Sequence, residues 1–194
     1  MDFRIDAGNT PLDPTEAEGL IIKVGTQGEL NLVETRNIIS AIVWARSNRQ
    51  VQAKLLDPAT LKLIHQQMFG KVWSWAGRYR LTQKSIGIEA FRISTEMKNL
   101  TENTITWIES GTYSSLEIAT RFHHRLVQIH PFPNGNGRHA RFVTDLLCHQ
   151  LKIQPFTWGA NLNEDWTEVR RRYIAALQSA DHHDFGDLLS FVRA

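Results

Sequence analysis

The chain has 194 residues, 42% of them hydrophobic and 22% charged, and its formal net charge is +2. This length and composition predict a single packed domain and exclude a wholly disordered chain, and the near balance of charge argues against a nucleic-acid-binding protein. Because Cys148 is the only cysteine, neither an intrachain disulfide nor a paired-cysteine metal site can form. The first 20 residues lack the apolar core of a signal peptide, and no stretch reaches membrane-spanning length, so we expect a cytoplasmic protein without a membrane partner.

The first 30 residues are predicted to form an extended arm, and residues 31–194 a helical domain. Glycines and prolines interrupt the arm throughout, and one helical turn is expected at PTEAE, where Pro14 suits the first helical position. Asn31 is predicted to cap the first long helix, because Glu34 follows three residues later and apolar residues then recur at helical spacing.

The stretch DPATLKLIHQQMFG carries a complete helix signal, with Asp57 as the cap, Pro58 at the first helical position and Gly70 at the end. Residues 72–93 follow, rich in β-branched and aromatic residues and broken by two glycines, and they predict a β-hairpin or flap. Helical periodicity then returns in five segments, at 94–111, in SLEIATRFHHRLVQI, at 138–152, around Trp166–Leu177 and around Phe185–Val192. The predicted fold class is therefore all-α, with one β-hairpin flap before the central helices.

The stretch HPFPNGNGRHAR, residues 130–141, interrupts this helical pattern. Its two prolines prevent a continuous helix, and Gly135 and Gly137 allow the backbone to approach a ligand closely. The loop leads directly into a helix N-terminus, where unpaired N–H groups and the helix dipole favour an anion. Arg138 and Arg141 are expected on one side of the first turn, which suits a di- or triphosphate.

Two further residues complete this interpretation of the loop. His130 ends the preceding helix, where a neutral imidazole could take a proton from an attacking hydroxyl. Asp145, four residues beyond Arg141, could pair with that arginine and orient it. Taken one at a time, the same features have ordinary alternatives, since Gly-Asn-Gly is commonly a turn, a histidine at a helix end a cap, and paired arginines a solvated helix face.

The whole stretch resembles the signature of the Fic (Fic/Doc) family, His-x-Phe-x-[Asp/Glu]-Gly-Asn-Gly-Arg-x-x-Arg, and departs from it only at Asn134. WAGRYR, at residues 75–80, is similar to the family's segment before the flap, and RRYIAALQSADHHDFGDLLSFV to its closing helices, so the resemblance covers residues from about 55 to the end. TPLDPTEAEGLI in the arm is similar to the bacterial subgroup called mobile mystery protein B.

The resemblance implies a Fic-like helical bundle that transfers AMP from ATP to a Ser, Thr or Tyr hydroxyl of a target protein. His130 would be the general base, the Gly135–Gly137 backbone with Asn136 would hold the α- and β-phosphates, and Arg138 would clamp the β- and γ-phosphates, with Arg141 ordering that clamp. The target would dock by strand addition on the flap at Lys84, Ser85, Ile86, Gly87 and Ile88.

Asn134 replaces the carboxylate that the family uses to hold Mg²⁺ against the diphosphate, or Mn²⁺ in its place. Three outcomes stay open: weaker but sufficient metal binding, another donor or metal, or loss of transfer that leaves a regulatory nucleotide-binding module. A transferase of a different phosphorylated group is a further alternative.

The resemblance also implies regulation, because many members are inhibited by a glutamate in a [Ser/Thr]-x-x-x-Glu-[Gly/Asn] helix that pairs with the second motif arginine. No stretch of this chain matches that pattern, and Glu18 with Gly19 comes nearest. An antitoxin-like partner protein is therefore expected to supply the glutamate in trans, with Glu18 acting in cis as the alternative.

Overall fold

The computed structural model describes residues 14–160 and 164–194, and most of them are helical. The first 13 residues of the predicted arm lie outside these ranges. In chain order the helices are α1 (Pro14–Ala17), α2 (Gln27–Ser47), α3 (Arg49–Ala53), α4 (Pro58–Phe69), α5 (Ile93–Ser110), α6 (Ser115–Ile129), α7 (Asn136–Gln150), α8 (Trp166–Asp181) and α9 (Gly186–Phe191), with a 3₁₀ turn at Ala90–Arg92 before α5. Within the described ranges the predicted helical class is confirmed.

Local sequence signals explain where the central helices begin and end. Asp57 accepts a hydrogen bond from the Ala59 N–H at 2.8 Å, and Pro58 opens α4 as predicted. Ser114 caps α6 through the Glu117 N–H, at 3.2 Å, so this helix has the predicted limits. These side chains satisfy amide groups that have no partner inside their own helix.

The first long helix begins four residues before the predicted cap at Asn31. Thr26 is the true cap, because its hydroxyl accepts a hydrogen bond from the Glu29 N–H at 3.2 Å. The Glu29 carboxylate in turn accepts from the Gly25 N–H at 2.7 Å. This reciprocal pair fixes the start of α2 at Gln27, inside the segment that was expected to be extended.

The predicted β-hairpin is wrong for the described chain, which contains no β-strand between residues 71 and 92. The single bridge in the neighbourhood joins Leu20 to Trp73. A hairpin needs backbone pairs between its two arms, but here the carbonyls of Thr82 and Ile88 both accept hydrogen bonds from the Arg80 guanidinium. A side chain therefore replaces the strand ladder, and we call residues 81–89 the flap segment.

Packing of the helices creates two adjoining apolar cores. The larger core lies among α2, α4, α5, α6 and α7, and the smaller one joins α8 and α9 to Ala119 and Cys148. The loop between α6 and α7 lies between the flap segment with Arg80 on one side and α4 on the other, held by the contacts described below. No helix in the described parts of the chain is long and apolar enough to cross a bilayer.

Candidate functional site

The loop that joins α6 to α7 contains two residues with left-handed backbones. His130 ends α6 with φ at 53°, and Gly135 caps α7 with φ at 78°. A Cβ atom at Gly135 would lie 2.6 Å from the Phe69 ring, whereas a Cβ at Gly137 would have no atom within 4 Å. Gly135 is therefore required by the fold, while open space adjoins Gly137 at the N-terminus of α7, where the helix dipole favours an anion.

The Asn136 side chain holds this loop in shape from within. Its Oδ1 accepts a hydrogen bond from the Phe132 N–H and its Nδ2 donates to the Phe132 carbonyl, both at 2.8 Å. The residue is only 4% exposed. Because both ends of the amide are engaged, the contribution to a phosphate that the resemblance implies for Asn136 is limited to its backbone N–H.

His65 on α4 is a site residue that sequence reasoning missed. Its ring stacks on Phe132 with 3.7 Å between centroids, its Nδ1 accepts a hydrogen bond from the Gly77 N–H at 3.0 Å, and its Nε2 lies 3.0 Å from the Asn134 carbonyl. Since Nδ1 is an acceptor, Nε2 carries the proton and donates. Burial lowers the pKa of His65 well below its ordinary value, so the ring is neutral. A histidine on the otherwise apolar face of α4 was the available signal.

His130 lies in a nearly closed environment beside the flap segment. It is 7% exposed, and a Cβ placed on Gly87 would lie 2.6 Å from the His130 Cβ. Burial, together with the positive charges of Arg80 and Lys84, lowers the pKa of His130 to about 4, while a hydrogen bond with the Val127 backbone acts in the opposite direction. The imidazole is therefore neutral at pH 7, the form that can accept a proton.

The first motif arginine is already engaged by an acid. Arg138 forms an ion pair with Glu34 of α2, and its guanidinium lies 4.8 Å from the centroid of the Phe69 ring. Glu34 is 6% exposed and also accepts a hydrogen bond from the Trp73 Nε1 at 2.6 Å. The sequence placed Glu34 only as part of a helix cap, so this pairing was not predicted.

The second motif arginine faces the other side of the loop, toward α8. The Arg141 guanidinium lies 5.0 to 5.9 Å from the ring centroids of Tyr173, Trp166 and Trp158. The expected pairing with Asp145 is not formed, because that carboxylate accepts a hydrogen bond from the Trp158 Nε1 at 3.0 Å instead. Among the described residues Arg141 has no carboxylate partner, so its positive charge can meet an anion.

The residue at the expected metal-ligand position, Asn134, is not suited to hold a metal ion for the protein. The Asn134 Oδ1 accepts a hydrogen bond from the Gly135 N–H at 2.5 Å, and an amide carries no negative charge. No group of three or more His, Cys, Asp or Glu side chains that could hold a metal occurs in the described ranges. Mg²⁺ usually needs at least one carboxylate in addition to substrate phosphates.

The flap segment and the arm make contacts that the sequence did not predict. Lys84 is buried in an ion pair with Glu16 of α1, and the Thr82 hydroxyl donates to the Glu16 carboxylate at 3.3 Å. Glu18, the alternative source of an inhibitory glutamate in cis, is exposed to solvent. Within the described chain, Glu34 rather than Glu18 pairs with a motif arginine. Ser85 and Ile86 are exposed, whereas Ile88 is half-buried.

Comparison with known proteins finds similarity to one family over part of the chain. Residues 55–148, just under half of the chain, match the profile of the Fic/DOC family. Protein adenylyltransferase fic-1 of Caenorhabditis elegans is 30% identical over 125 residues, which cover 61% of this chain and 22% of that protein. Protein adenylyltransferase VbhT of Bartonella schoenbuchensis is 21% identical over 196 residues, which cover 96% of this chain and 39% of that protein. The chain thus spans about a fifth to two fifths of these relatives.

Solved structures share the fold over a larger part of the chain. BepC from Bartonella tribocorum, crystallised with bound AMPPNP, has a TM-score of 0.70 at 19% identity, and the match covers 93% of this chain and 96% of that chain. The FIC domain of Bep8 from Bartonella sp. 1-1C has a TM-score of 0.71 at 17% identity, covering 90% and 88%. The described helices are therefore arranged as in Fic proteins.

Proposed function

We propose that this chain, in which residues 55–148 form a Fic/DOC family domain, is a protein adenylyltransferase that moves AMP from ATP to a Ser, Thr or Tyr hydroxyl of a target protein. The observation that carries the proposal is the placement of a buried neutral imidazole, His130, at one end of a loop whose other end is an open helix N-terminus. The names of the sequence relatives support the same activity.

In this reaction the target hydroxyl oxygen attacks the α-phosphorus of ATP and the bond to the β-phosphate oxygen breaks. Pyrophosphate leaves, and the hydroxyl proton passes to the His130 imidazole. The backbone N–H groups of Asn136 and Gly137 would bind the α- and β-phosphates, since the Gly135 N–H already donates to the Asn134 side chain, and Arg141 would stabilise the phosphate charge. Arg138 would reach the β- and γ-phosphates after leaving Glu34.

Mg²⁺ or Mn²⁺ would bind together with the nucleotide, through the nucleotide's phosphates. Because the donor set at Asn134 does not fit a protein-held metal, no step is assigned to one. The same observation favours the second candidate function, a nucleotide-binding regulatory module in which transfer is weakened. Transfer of a different phosphorylated group is the remaining alternative, and the identity of the adduct distinguishes it.

The proposals on subgroup, cellular location and regulation depend on the sequence resemblance. The arm sequence TPLDPTEAEGLI supports membership of the mobile mystery protein B subgroup. We propose that the protein acts in the cytoplasm as the toxin-like member of a regulated pair, with an antitoxin-like partner supplying an inhibitory glutamate. Glu34 of α2 pairs with Arg138, the first motif arginine, so the partner's glutamate would meet the second, Arg141.

Mass spectrometry of reaction products tests the proposal. The protein is incubated with host lysate, Mg²⁺ or Mn²⁺ and each nucleoside triphosphate in turn, beside His130→Ala and Asn134→Glu. His149→Ala is the matched control, since His149 is exposed at the far end of α7. An AMP adduct on a hydroxyl side chain that only His130→Ala abolishes would establish the transferase. An adduct formed only by Asn134→Glu would favour the binding module.

A further inference from the structure

Arg80 is a buried charged residue whose guanidinium hydrogen-bonds to backbone carbonyls, and the nearby acid Glu16 acts on it through its charge. It is 2% exposed, and each nitrogen of its guanidinium donates to a backbone carbonyl: Nε to His130 at 2.8 Å, Nη1 to Thr82 at 2.8 Å, and Nη2 to Ile88 and, at 3.5 Å, to Ile129. Burial of a charge is costly unless hydrogen bonds satisfy it. A side chain placed at this cost, and directed entirely at backbone oxygens, fixes the conformation of the segments that carry them.

One of these segments is the flap segment. The carbonyls of Thr82 and Ile88 are six residues apart in sequence and bind the same guanidinium, so Arg80 closes the segment into a loop. Gly87 then lies so close to His130 that it has no room for a side chain. Exposed apolar residues remain on the outside of the loop, with Leu81 93% and Ile86 52% exposed.

The other segment is the end of α6. Arg80 binds the carbonyls of Ile129 and His130 through its side chain, and its backbone N–H donates to the Pro131 carbonyl at 2.9 Å. His130 has a left-handed backbone, which is unfavourable for a residue other than glycine and persists only where the surroundings hold it. Arg80 supplies such a constraint at the residue itself.

We propose that Arg80 is a positioning residue that couples the flap segment to His130, so that a target hydroxyl bound against the flap meets the imidazole at a fixed distance. This inference rests on the proposed transfer of AMP. Arg80 touches neither nucleotide nor target, and it acts through two backbone segments. The nucleotide loop is held separately, by His65 and Asn136. Loss of Arg80 therefore lowers transfer while leaving nucleotide affinity nearly unchanged.

The test compares Arg80→Lys with wild type. Lysine keeps the charge but offers a single nitrogen, which cannot reach both ends of the flap segment and His130 together. Arg78→Lys is the matched control, two residues away in WAGRYR and exposed. Three quantities are measured: hydrogen exchange of the amides at 81–89 and of His130 and Phe132, AMPPNP affinity by calorimetry, and AMP transfer by mass spectrometry.

For Arg80→Lys we expect faster exchange confined to these two segments, an AMPPNP Kd within about threefold of wild type, and transfer lowered about 100-fold, the cost of a misplacement of about 1 Å. Unchanged exchange, or exchange that rises equally in α2 and α7, would overturn the proposal. So would transfer and AMPPNP affinity that fall together. The exchange measurement does not depend on enzyme activity. If wild type transfers no AMP, the proposed function is rejected, and hydrogen exchange alone still tests whether Arg80 couples the flap segment to His130.

Gly87→Ala decides the outcome if Arg80→Lys does not fold. This variant keeps Arg80 but introduces a Cβ that would lie 2.6 Å from the His130 Cβ and 2.8 Å from the Arg80 Nη2. It should separate the flap segment from His130 and reproduce the same local exchange, with AMPPNP affinity kept. Exchange at 81–89 equal to that of wild type in Gly87→Ala would refute the coupling.

Discussion

Replacement of Glu34 by glutamine should tighten the binding of a nucleoside triphosphate. The acid neutralises Arg138 and occupies the guanidinium that would otherwise meet the β- and γ-phosphates. Glutamine keeps an oxygen that can accept the hydrogen bond from the Trp73 Nε1 but removes the negative charge. The Phe69 ring continues to support the guanidinium, so the arginine stays close to the loop.

The size of the effect follows from the burial of the two partners. The Glu34 side chain is 8% exposed, whereas that of Arg138 is 41% exposed. Fully exposed ion pairs contribute about 0.2–1 kcal/mol, and hydrogen bonds to charged groups about 1.5–3 kcal/mol. A half-exposed pair lies between these values, at about 1–2 kcal/mol, and its removal corresponds to roughly a five- to thirtyfold lower Kd.

Calorimetric titration of Glu34→Gln with AMPPNP and with AMP measures this change. The gain should be large for AMPPNP and small for AMP, because AMP has no β- or γ-phosphate to reach Arg138. Glu102→Gln is the control for a lost negative charge, since this acid is exposed on α5 and pairs with Lys98. An AMPPNP affinity that is unchanged or weaker would show that Glu34 orients Arg138 for the nucleotide rather than competing with it.

Three further outcomes are expected. Since the pKa of His130 is about 4, the rate of AMP transfer at saturating substrate should vary less than about twofold from pH 8 to pH 5. Below pH 4 the rate should fall about tenfold per pH unit. A pH profile of initial rates with its midpoint near 6.5 would contradict this. Asn134→Glu should lower at least about tenfold the Mg²⁺ concentration that half-saturates ADP binding, and an unchanged Mg²⁺ titration would reject a metal at this position. Burial lowers the pKa of His139 to about 4, so its neutral form stabilises the fold above pH 6.5, and about 2 kcal/mol of this stability is lost between pH 7 and pH 5. Because the pKa values of His65 and His130 are also lowered, urea unfolding at the two pH values is compared between wild type and His139→Gln, and the variant should lose about 2 kcal/mol less.

Sequence patterns predicted the helices well because their signals are local. Asp57 and Pro58 define the start of α4 through contacts within three residues, and periodic apolar residues indicated each central helix. The start of α2 was misplaced because two capping signals lie five residues apart, at Thr26 and Asn31. The hydrogen bonds that Glu29 makes with Thr26 and Gly25 distinguish them, and residue types alone do not specify which hydrogen bonds form.

The flap and the partners of the arginines could not be predicted in the same way, since they depend on contacts distant in sequence. The alternation of residues 72–93 resembles a strand pattern, but Arg80 binds the carbonyls that a hairpin would pair. Glu34 and Arg138 are 104 residues apart, and the helical spacing that suggested Asp145 for Arg141 ignored the competing Trp158 indole. Only the three-dimensional packing decides such competitions.

The three buried side chains that hold the site share one physical property. Arg80, His65 and Asn136 all bind backbone groups of the loops, and none of them offers a charge to the open side of the α7 N-terminus. Rigid positioning and charge stabilisation are thereby assigned to different residues, because Arg138 and Arg141 supply the positive charge. Because hydrogen bonds to the backbone set the geometry of the site, replacement of Glu34 beside Arg138, as in Glu34→Gln, should leave that geometry intact. It does not tolerate replacement of a guanidinium that holds several carbonyls at once.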